Sequence, residues 1–184
     1  MKTSKLVPVL LVILTMACGL ACTTKAKAPD VSSSIRQALD QAGLKDVKVS
    51  QDRDKNVVTL AGNVAAENEK TQAESIAKSI SGDQVISNQI GLRPAGDEST
   101  AKKVDSDLDK GIDKNVDAAL TQRKWNHDVR YDVKNGVVTL KGTVDSESRR
   151  AAVEKVTAQV PNVKQVVNEL EVKDQRATST ARNQ

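Results

Sequence analysis

Hydrophobic and polar residues alternate in the same way in two stretches of the chain. NVVTLAGNV occupies residues 56–64, and NGVVTLKGTV occupies residues 135–144. In both, a turn precedes a strand in which apolar residues recur at every second position, a pattern typical of a strand with one buried face. A repeat of this length predicts a duplicated domain, so the chain is expected to contain two modules.

The apolar spacing around these stretches predicts the same series of elements twice: helix, strand, strand, helix, strand. In module one a helical period runs over 31–42 and 67–80, and alternation runs over 47–49, 57–64 and 86–92. In module two the helical period runs over 103–123 and 145–160, and alternation runs over 129–133, 137–144 and 166–172. On this pattern Leu108 faces the core and Asp145 caps the last helix.

The connections between these elements set the fold class. Strands joined by a tight turn pair antiparallel, and a right-handed crossover through the second helix brings the third strand in parallel to the second. Both helices must cover one sheet face to bury their apolar stripes. The prediction is an α+β chain of two tandem αββαβ domains, each a three-stranded mixed sheet with two helices on one face. Module one spans 31–92, a linker spans 93–102, module two spans 103–173, and residues 174–184 form a disordered polar tail.

The amino-terminal segment is typical of an export signal. Two lysines precede an apolar run over 6–17, which is too short to span a bilayer and fits a secretory signal over residues 1–21. The only two cysteines, Cys18 and Cys22, lie at its end, where they cannot build a disulfide framework. They resemble the acylated cysteine of bacterial lipoproteins, and the expected site is Cys22, followed by a tether over 22–30. Acylation at Cys18 and a plain secreted protein are the alternatives.

Composition narrows the function classes further. The chain has no phenylalanine, one tryptophan and one tyrosine, so its cores must be built from Val, Ile, Leu and Ala. The net charge is +4, but residues 1–29 carry four lysines and no acid, residues 30–92 hold seven basic and nine acidic residues, and residues 105–173 hold twelve of each. The folded part is therefore near neutral, and with so few aromatic residues it does not fit a nucleic-acid binder.

The sequence lacks the residues from which catalytic and metal-binding sites are usually built. The chain has one histidine, His127, and no cysteine after residue 22, so neither a nucleophile–base pair nor a tetrahedral zinc site can be assembled convincingly. Asp128 is adjacent to His127, but neighbours on an extended chain point opposite ways. We therefore expect a non-enzymatic protein without cofactor or metal, in which His127 is a solvated loop residue.

Two pairs of residues occupy equivalent places in the modules. Gly62 and Gly142 fall on the inward row of the repeated strand, where a glycine leaves room for another backbone or marks a bulge. Asn88 and Asn168 fall on inward rows of the last strands, where a buried amide must find hydrogen-bond partners. We expect all four to be structural, with each asparagine tying down a helix end or the neighbouring hairpin. Ligand binding is the alternative for the asparagines.

The order of elements, the repeated VVTLxGxV and the late VKQVVNELEV at 163–172 resemble the BON domain of bacterial envelope proteins. Module one has the weaker VISNQIGL at 85–92. An exported chain with two such domains is similar to osmotically induced periplasmic members of that family, and a lipidated cysteine makes it more similar to the family's outer-membrane lipoproteins. The resemblance implies an envelope role, phospholipid as ligand and no catalytic residues.

The expected membrane-binding site is Arg123, Lys124 and Trp125. The only tryptophan follows two cations where a helix ends, and indole is favoured at membrane interfaces. With acyl chains on Cys22, this predicts a periplasmic protein anchored to the outer membrane that binds anionic phospholipid. The opposing interpretation is that Trp125 aligns with Leu44 and is a larger core residue. The alternative function is a protein-interaction or chaperone-like module that binds an envelope partner through a sheet face or an edge strand.

Overall fold

The computed structural model describes residues 27–173. The predicted signal over 1–21, the acylation at Cys22 or Cys18 and the tail over 174–184 lie outside the described residues.

Residues 28–30 pack on module one, which corrects the prediction of a tether over 22–30. The backbone N–H of Ala28 donates to the Arg53 carbonyl at 3.0 Å, and the Arg53 guanidinium donates back to the Ala28 carbonyl at 2.6 Å. Ala28 is only 9% exposed. The chain therefore enters the fold beside the loop that joins the first two strands.

Each module contains the predicted series of elements, and the α+β prediction of two tandem αββαβ domains is confirmed. Module one consists of α1 (Ser32–Gln41), β1 (Val47–Asp52), β2 (Val57–Val64), α2 (Glu67–Ser81), β3 (Val85–Asn88) and β4 (Gly91–Leu92). Module two consists of α3 (Glu98–Gln122), β5 (Val129–Lys134), β6 (Val137–Val144), α4 (Glu147–Ala158), β7 (Gln165–Asn168) and β8 (Glu171–Val172).

The sheets are mixed, and the last strand of each is split in two. The hairpin pairs β1–β2 and β5–β6 are antiparallel. β3 and β4 both pair parallel with β2, and β7 and β8 both pair parallel with β6. The split follows Asn88 and Asn168, at a point that simple alternation over 86–92 and 166–172 did not predict.

Each module buries its own aliphatic core between one sheet face and its two helices. Nearly all of the largest fully buried side chains are aliphatic residues of these two cores: Ile35, Leu39, Val58, Leu60 and Ile90 in module one, and Ile112, Val116, Leu120, Val138, Leu140 and Val144 in module two. In place of phenylalanine the cores use mainly Val, Ile and Leu, with the small Ala73 and Ala77 on α2, as the sequence predicted.

Helix α3 is longer than expected, which corrects two predictions. It begins at Glu98, inside the predicted linker over 93–102, so that only residues 93–97 separate β4 from α3. Leu108 is 42% exposed rather than buried, because the first turns of α3 extend beyond the core, whose first fully buried helix residue is Ile112. The helix is anchored at this point by an ion pair between Asp105 and Arg93.

The start of α4 also differs from prediction. Ser146, not Asp145, is the N-cap, and its hydroxyl accepts the Arg149 backbone N–H at 3.2 Å. Asp145 instead pairs with the guanidinium of Arg149 at 2.7 Å and with the Lys173 ammonium at 3.2 Å. Either a serine or an aspartate can cap a helix; here Ser146 does so, and Asp145 is held by two cations instead.

The two sheets meet through the faces that carry no helices. Val57, Val137 and Val167 form a small apolar cluster there, and each is at most 3% exposed. Polar contacts flank it: Lys55 pairs with Glu171. The modules therefore pack face to face, which leaves their helices on the outside.

The side chain of Gln165 in β7 makes the two backbone hydrogen bonds to β3 that a neighbouring strand would otherwise make. Its side-chain carbonyl accepts the Asn88 backbone N–H at 3.1 Å, and its amide donates to the Ile86 carbonyl at 2.7 Å. β3 is an edge strand of its sheet, so these two backbone groups have no neighbouring strand. One glutamine side chain thus covers the edge of module one.

Candidate functional site

The expected membrane-binding residues lie where α3 ends. Arg123 is the C-cap, and Lys124 follows with φ of +57°, in the left-handed region. The Trp125 N–H then donates back to the Leu120 carbonyl at 2.9 Å. A left-handed residue after a helix is usually glycine, because a Cβ makes this conformation costly.

Module one shows the ordinary form of the same turn. Gly43 has φ of +82°, and the Leu44 N–H donates to the Leu39 carbonyl at 2.9 Å, the bond that Trp125 makes to Leu120. Leu44 is buried, with 7% of its surface exposed. Module two therefore holds a lysine where the backbone prefers glycine and an indole where module one has a core leucine.

The Trp125 ring is half-buried, so it belongs partly to the core and partly to the surface. One side packs on the apolar core of module two, as the alignment with Leu44 implies. The Arg123 guanidinium lies 5.8 Å from the ring centroid, within range of a cation–π interaction, and also donates to the Ala119 carbonyl at 3.2 Å. The exposed remainder of the indole therefore lies beside the Arg123 guanidinium.

The charge around this turn is not cancelled by nearby acids. Within residues 27–173, neither Arg123 nor Lys124 has a carboxylate within ion-pairing distance, and both side chains are exposed. The acid just after the turn, Asp128, is occupied by Arg149 at 2.8 Å. The site can therefore present two uncompensated cations and part of an indole to a partner of opposite charge.

Gly62 and Gly142 lie where the backbone of the preceding strand crosses closely. Their φ angles are +111° and +126°. A Cβ at Gly62 would overlap the carbonyl oxygen of Asp46, and a Cβ at Gly142 would overlap that of Asp128. Because side chains are excluded by both backbone angle and space, these glycines have a structural role in the hairpin.

Asn88 and Asn168 make the same three contacts in their modules. The Asn88 amide donates to the Glu74 carboxylate at 2.8 Å and to the Lys70 carbonyl at 3.5 Å, and its oxygen accepts the Ile90 N–H at 3.3 Å. Asn168 repeats this with Glu154 at 2.8 Å, Arg150 and Leu170. The partners are the body of the second helix and the strand's own break, rather than the helix end or hairpin that we expected. Donation by Asn88, and then by Lys78, lowers the pKa of Glu74.

Tyr131 of β5 supports the underside of α3. Its hydroxyl donates to the Asp113 backbone carbonyl at 3.1 Å. Burial, followed by the nearby carboxylates of Asp113 and Asp117, raises the pKa of Tyr131 to about 12.

The histidine lies apart from any catalytic arrangement. His127 is exposed in the loop between α3 and β5, as a solvated residue would be. Among the residues that the structure describes, no three His, Cys, Asp or Glu side chains are grouped so as to hold a metal ion. In the same part of the chain, no helix is long and apolar enough to cross a bilayer.

Sequence reasoning missed the residues that join the modules. Asn135 donates to the Gln89 carbonyl of module one at 2.7 Å. Asp109 of α3 accepts the backbone N–H groups of Asn135 and Gly136 at 2.8 and 2.9 Å and so holds the hairpin that makes this contact. Neither contact leaves a local signal in the sequence.

Comparison with known proteins identifies both modules. The BON domain family matches residues 28–94 and 99–174. Osmotically-inducible protein Y of Escherichia coli strain K12 is 28% identical over 153 residues, which cover 78% of this chain and 71% of that protein. Two structures of CdsD, a structural protein of the type III secretion system of Chlamydia trachomatis, are each 11% identical over 77% of this chain and cover 66% and 63% of their own chains. Their TM-scores of 0.32 and 0.33 are too low to support an argument.

Proposed function

Because this chain belongs to the BON domain family and carries the domain twice, we propose that it is an exported, non-enzymatic protein of a bacterial envelope that supports osmotic-stress tolerance by binding anionic phospholipid. The similarity to an osmotically inducible protein supports the stress role. The predicted signal and Cys22 support a periplasmic location with a lipid anchor in the outer membrane.

The observation that carries the lipid proposal is the turn after α3. A half-buried indole with the Arg123 guanidinium over its ring, next in sequence to the exposed Lys124, combines the two interactions that peripheral membrane proteins use. These are an aromatic ring at the headgroup level and attraction to anionic lipid of about 1 kcal/mol per cation. An anchor at Cys22 holds the chain at a bilayer without selecting its lipids, so a second signal of this kind would add a preference for anionic headgroups.

The test is association with vesicles by the unacylated chain from Lys25 onward, which keeps every described residue. Binding to phosphatidylglycerol-containing vesicles, with a blue shift of the single tryptophan's fluorescence, is expected, and much weaker binding to phosphatidylcholine vesicles. The Trp125→Leu variant keeps the core contact that Leu44 makes in module one and is expected to lose most of the association. Equal, negligible association with both lipids would contradict the proposal.

A second candidate function is the binding of an envelope protein. Val104 and Leu108 are 51% and 42% exposed on α3, and Leu108 lines a groove of about 290 Å³ with Ile112 and Val163. The sheet-face route has less support, because Val57 and Val137 already bury part of those faces against each other. Capture of an envelope protein that survives Trp125→Leu but is lost in Leu108→Ser would favour this function.

A further inference from the structure

Two more cations lie at the end of module two that carries Trp125. Arg130 of β5 and Lys141 of β6 are direct partners in the strand register, and both side chains are exposed. Their neighbours Val129 and Leu140 point into the core, so Arg130 and Lys141 point to the other sheet face. They lie beyond the part of that face that module one covers.

The pairing of Arg130 with Lys141 does not favour the folded state. Like charges directly opposite each other on two strands repel. Arg130 has no carboxylate partner within residues 27–173, and Lys141 approaches Asp132 only at 3.7 Å, with both side chains more than half exposed. The same two register positions in module one hold Lys48 and Ala61, so the paired cations are specific to module two.

The acids at this end are occupied by other cations. Arg149 binds both Asp128 and Asp145, at 2.8 and 2.7 Å, and Lys173 binds Asp145 at 3.2 Å. This end therefore carries an uncompensated positive charge. It comes from Arg123, Lys124 and Arg130, and from Lys141, whose only carboxylate neighbour among the described residues is Asp132 at 3.7 Å.

The chain also enters the fold at this end. Lys27 pairs with Asp54 at 3.3 Å, and the next residue, Lys55, pairs with Glu171 of module two. Glu171 is the register partner of Thr143, which lies two residues after Lys141 in β6. A continuous series of contacts thus links the entry point to the cationic end.

The distance from this entry point to the expected acylation site is short. Five peptide steps separate Cys22 from Lys27, and an extended chain of that length spans at most about 18 Å. An acyl group on Cys22 would hold the cationic end, rather than the opposite end, close to the bilayer.

We propose that Arg130 and Lys141 bind the headgroups of anionic phospholipid together with Arg123, Lys124 and Trp125, so that this whole end of the molecule faces the membrane. The inference rests on the proposed function and deepens it by adding residues from the sheet to a site otherwise confined to the end of a helix. It would also give a function to a cross-strand pair that is otherwise repulsive at an exposed position.

The experiment compares three double variants of the chain from Lys25 onward on phosphatidylglycerol–phosphatidylcholine vesicles. Arg130→Gln/Lys141→Gln is expected to lower the partition coefficient about 25-fold, because each cation near an anionic surface contributes about fivefold. Arg123→Gln/Lys124→Gln is the positive comparison, with a similar loss. Lys48→Gln/Lys155→Gln removes the same charge from elsewhere and should change binding less than about twofold.

The outcomes separate the two proposals. If the Arg123/Lys124 variant loses binding while the Arg130/Lys141 variant behaves like the Lys48/Lys155 control, the sheet residues are not part of the site and this inference is wrong. If the unaltered chain does not bind anionic vesicles at all, the proposed function fails first. Urea unfolding monitors the fold, and the Arg130/Lys141 variant should be at least as stable as the unaltered chain because it removes a repulsion.

Discussion

Replacing Lys124 with glycine should move stability and membrane binding in opposite directions. Lys124 lies at the left-handed position after α3 with φ of +57°, where module one has Gly43 with φ of +82°. The lysine is exposed and has no carboxylate partner among the described residues, so the substitution removes no ion pair. Only the backbone preference and the charge change.

The two effects have comparable sizes. A side chain in the left-handed region costs about 1 kcal/mol relative to glycine, so Lys124→Gly should raise the free energy of unfolding by about that amount. If both modules unfold together, the midpoint temperature should rise by about 2 to 4 °C. Loss of one cation should weaken binding to anionic vesicles about fivefold.

Two controls isolate these effects. Lys124→Ala removes the charge but keeps a Cβ, so it should weaken binding equally with little gain in stability. Gly43→Lys should cost module one about 1 kcal/mol, because a Cβ there would meet no atom within 4 Å and only the backbone strain remains. Urea denaturation and vesicle co-sedimentation measure the two quantities. The reasoning is refuted if Lys124→Gly fails to stabilise the protein, or if the lysine can be removed without loss of binding.

Four further outcomes can be checked. Gln165→Ala should destabilise the protein by about 1 to 3 kcal/mol in urea, because two backbone groups on the β3 edge lose their partner; an unchanged midpoint would contradict this. Gly142→Ala should cost more than about 3 kcal/mol or prevent folding, whereas Gly111→Ala, in an exposed helix position with open space, should stabilise by about 0.5 to 1 kcal/mol. Tyr131, the single tyrosine, should ionise near pH 12 when followed by ultraviolet absorbance. Because its folded pKa is raised, its contribution to the free energy of unfolding is intact below pH 10.0 and is lost as pH rises through about 12. Titration at the ordinary value would contradict its burial. The folded pKa of Glu74 is lowered, so its contribution to stability is present above pH 4.5 and is lost as pH falls through that lowered value. Glu74→Gln should therefore destabilise the protein at pH 6, and the difference should shrink as pH is lowered below 4.5; an effect independent of pH would refute the assignment.

The fold was predictable because its signals are local. Alternation over the repeated strand, the helical spacing and the Asn135-Gly136 turn each lie within a few consecutive residues, and together they define the αββαβ series. The extra turns of α3 were not predictable, because residues 98–103 carry no apolar stripe and the ion pair between Arg93 and Asp105 forms only in the folded chain.

The candidate site was only partly accessible from sequence. The position of Trp125 after a helix followed from its alignment with Leu44, but the depth of the ring depends on how a larger side chain fits that core. The contacts of Gln165 reach residues 77 and 79 positions away, and no periodicity encodes a pair at that separation. Arg130 and Lys141 become neighbours only once the hairpin register is known.

The glutamine that covers the edge of β3 makes the two halves of this duplication unequal. At the corresponding position module one has Val85, which carries no amide and is 46% exposed. If module one is produced alone, the edge of β3 is unpaired and we expect the module to self-associate, whereas module two would lose no such cover. A chain with the modules in reversed order must still bring the Gln165 amide to the edge of β3. The two copies of the domain are therefore not interchangeable, because module one depends on module two.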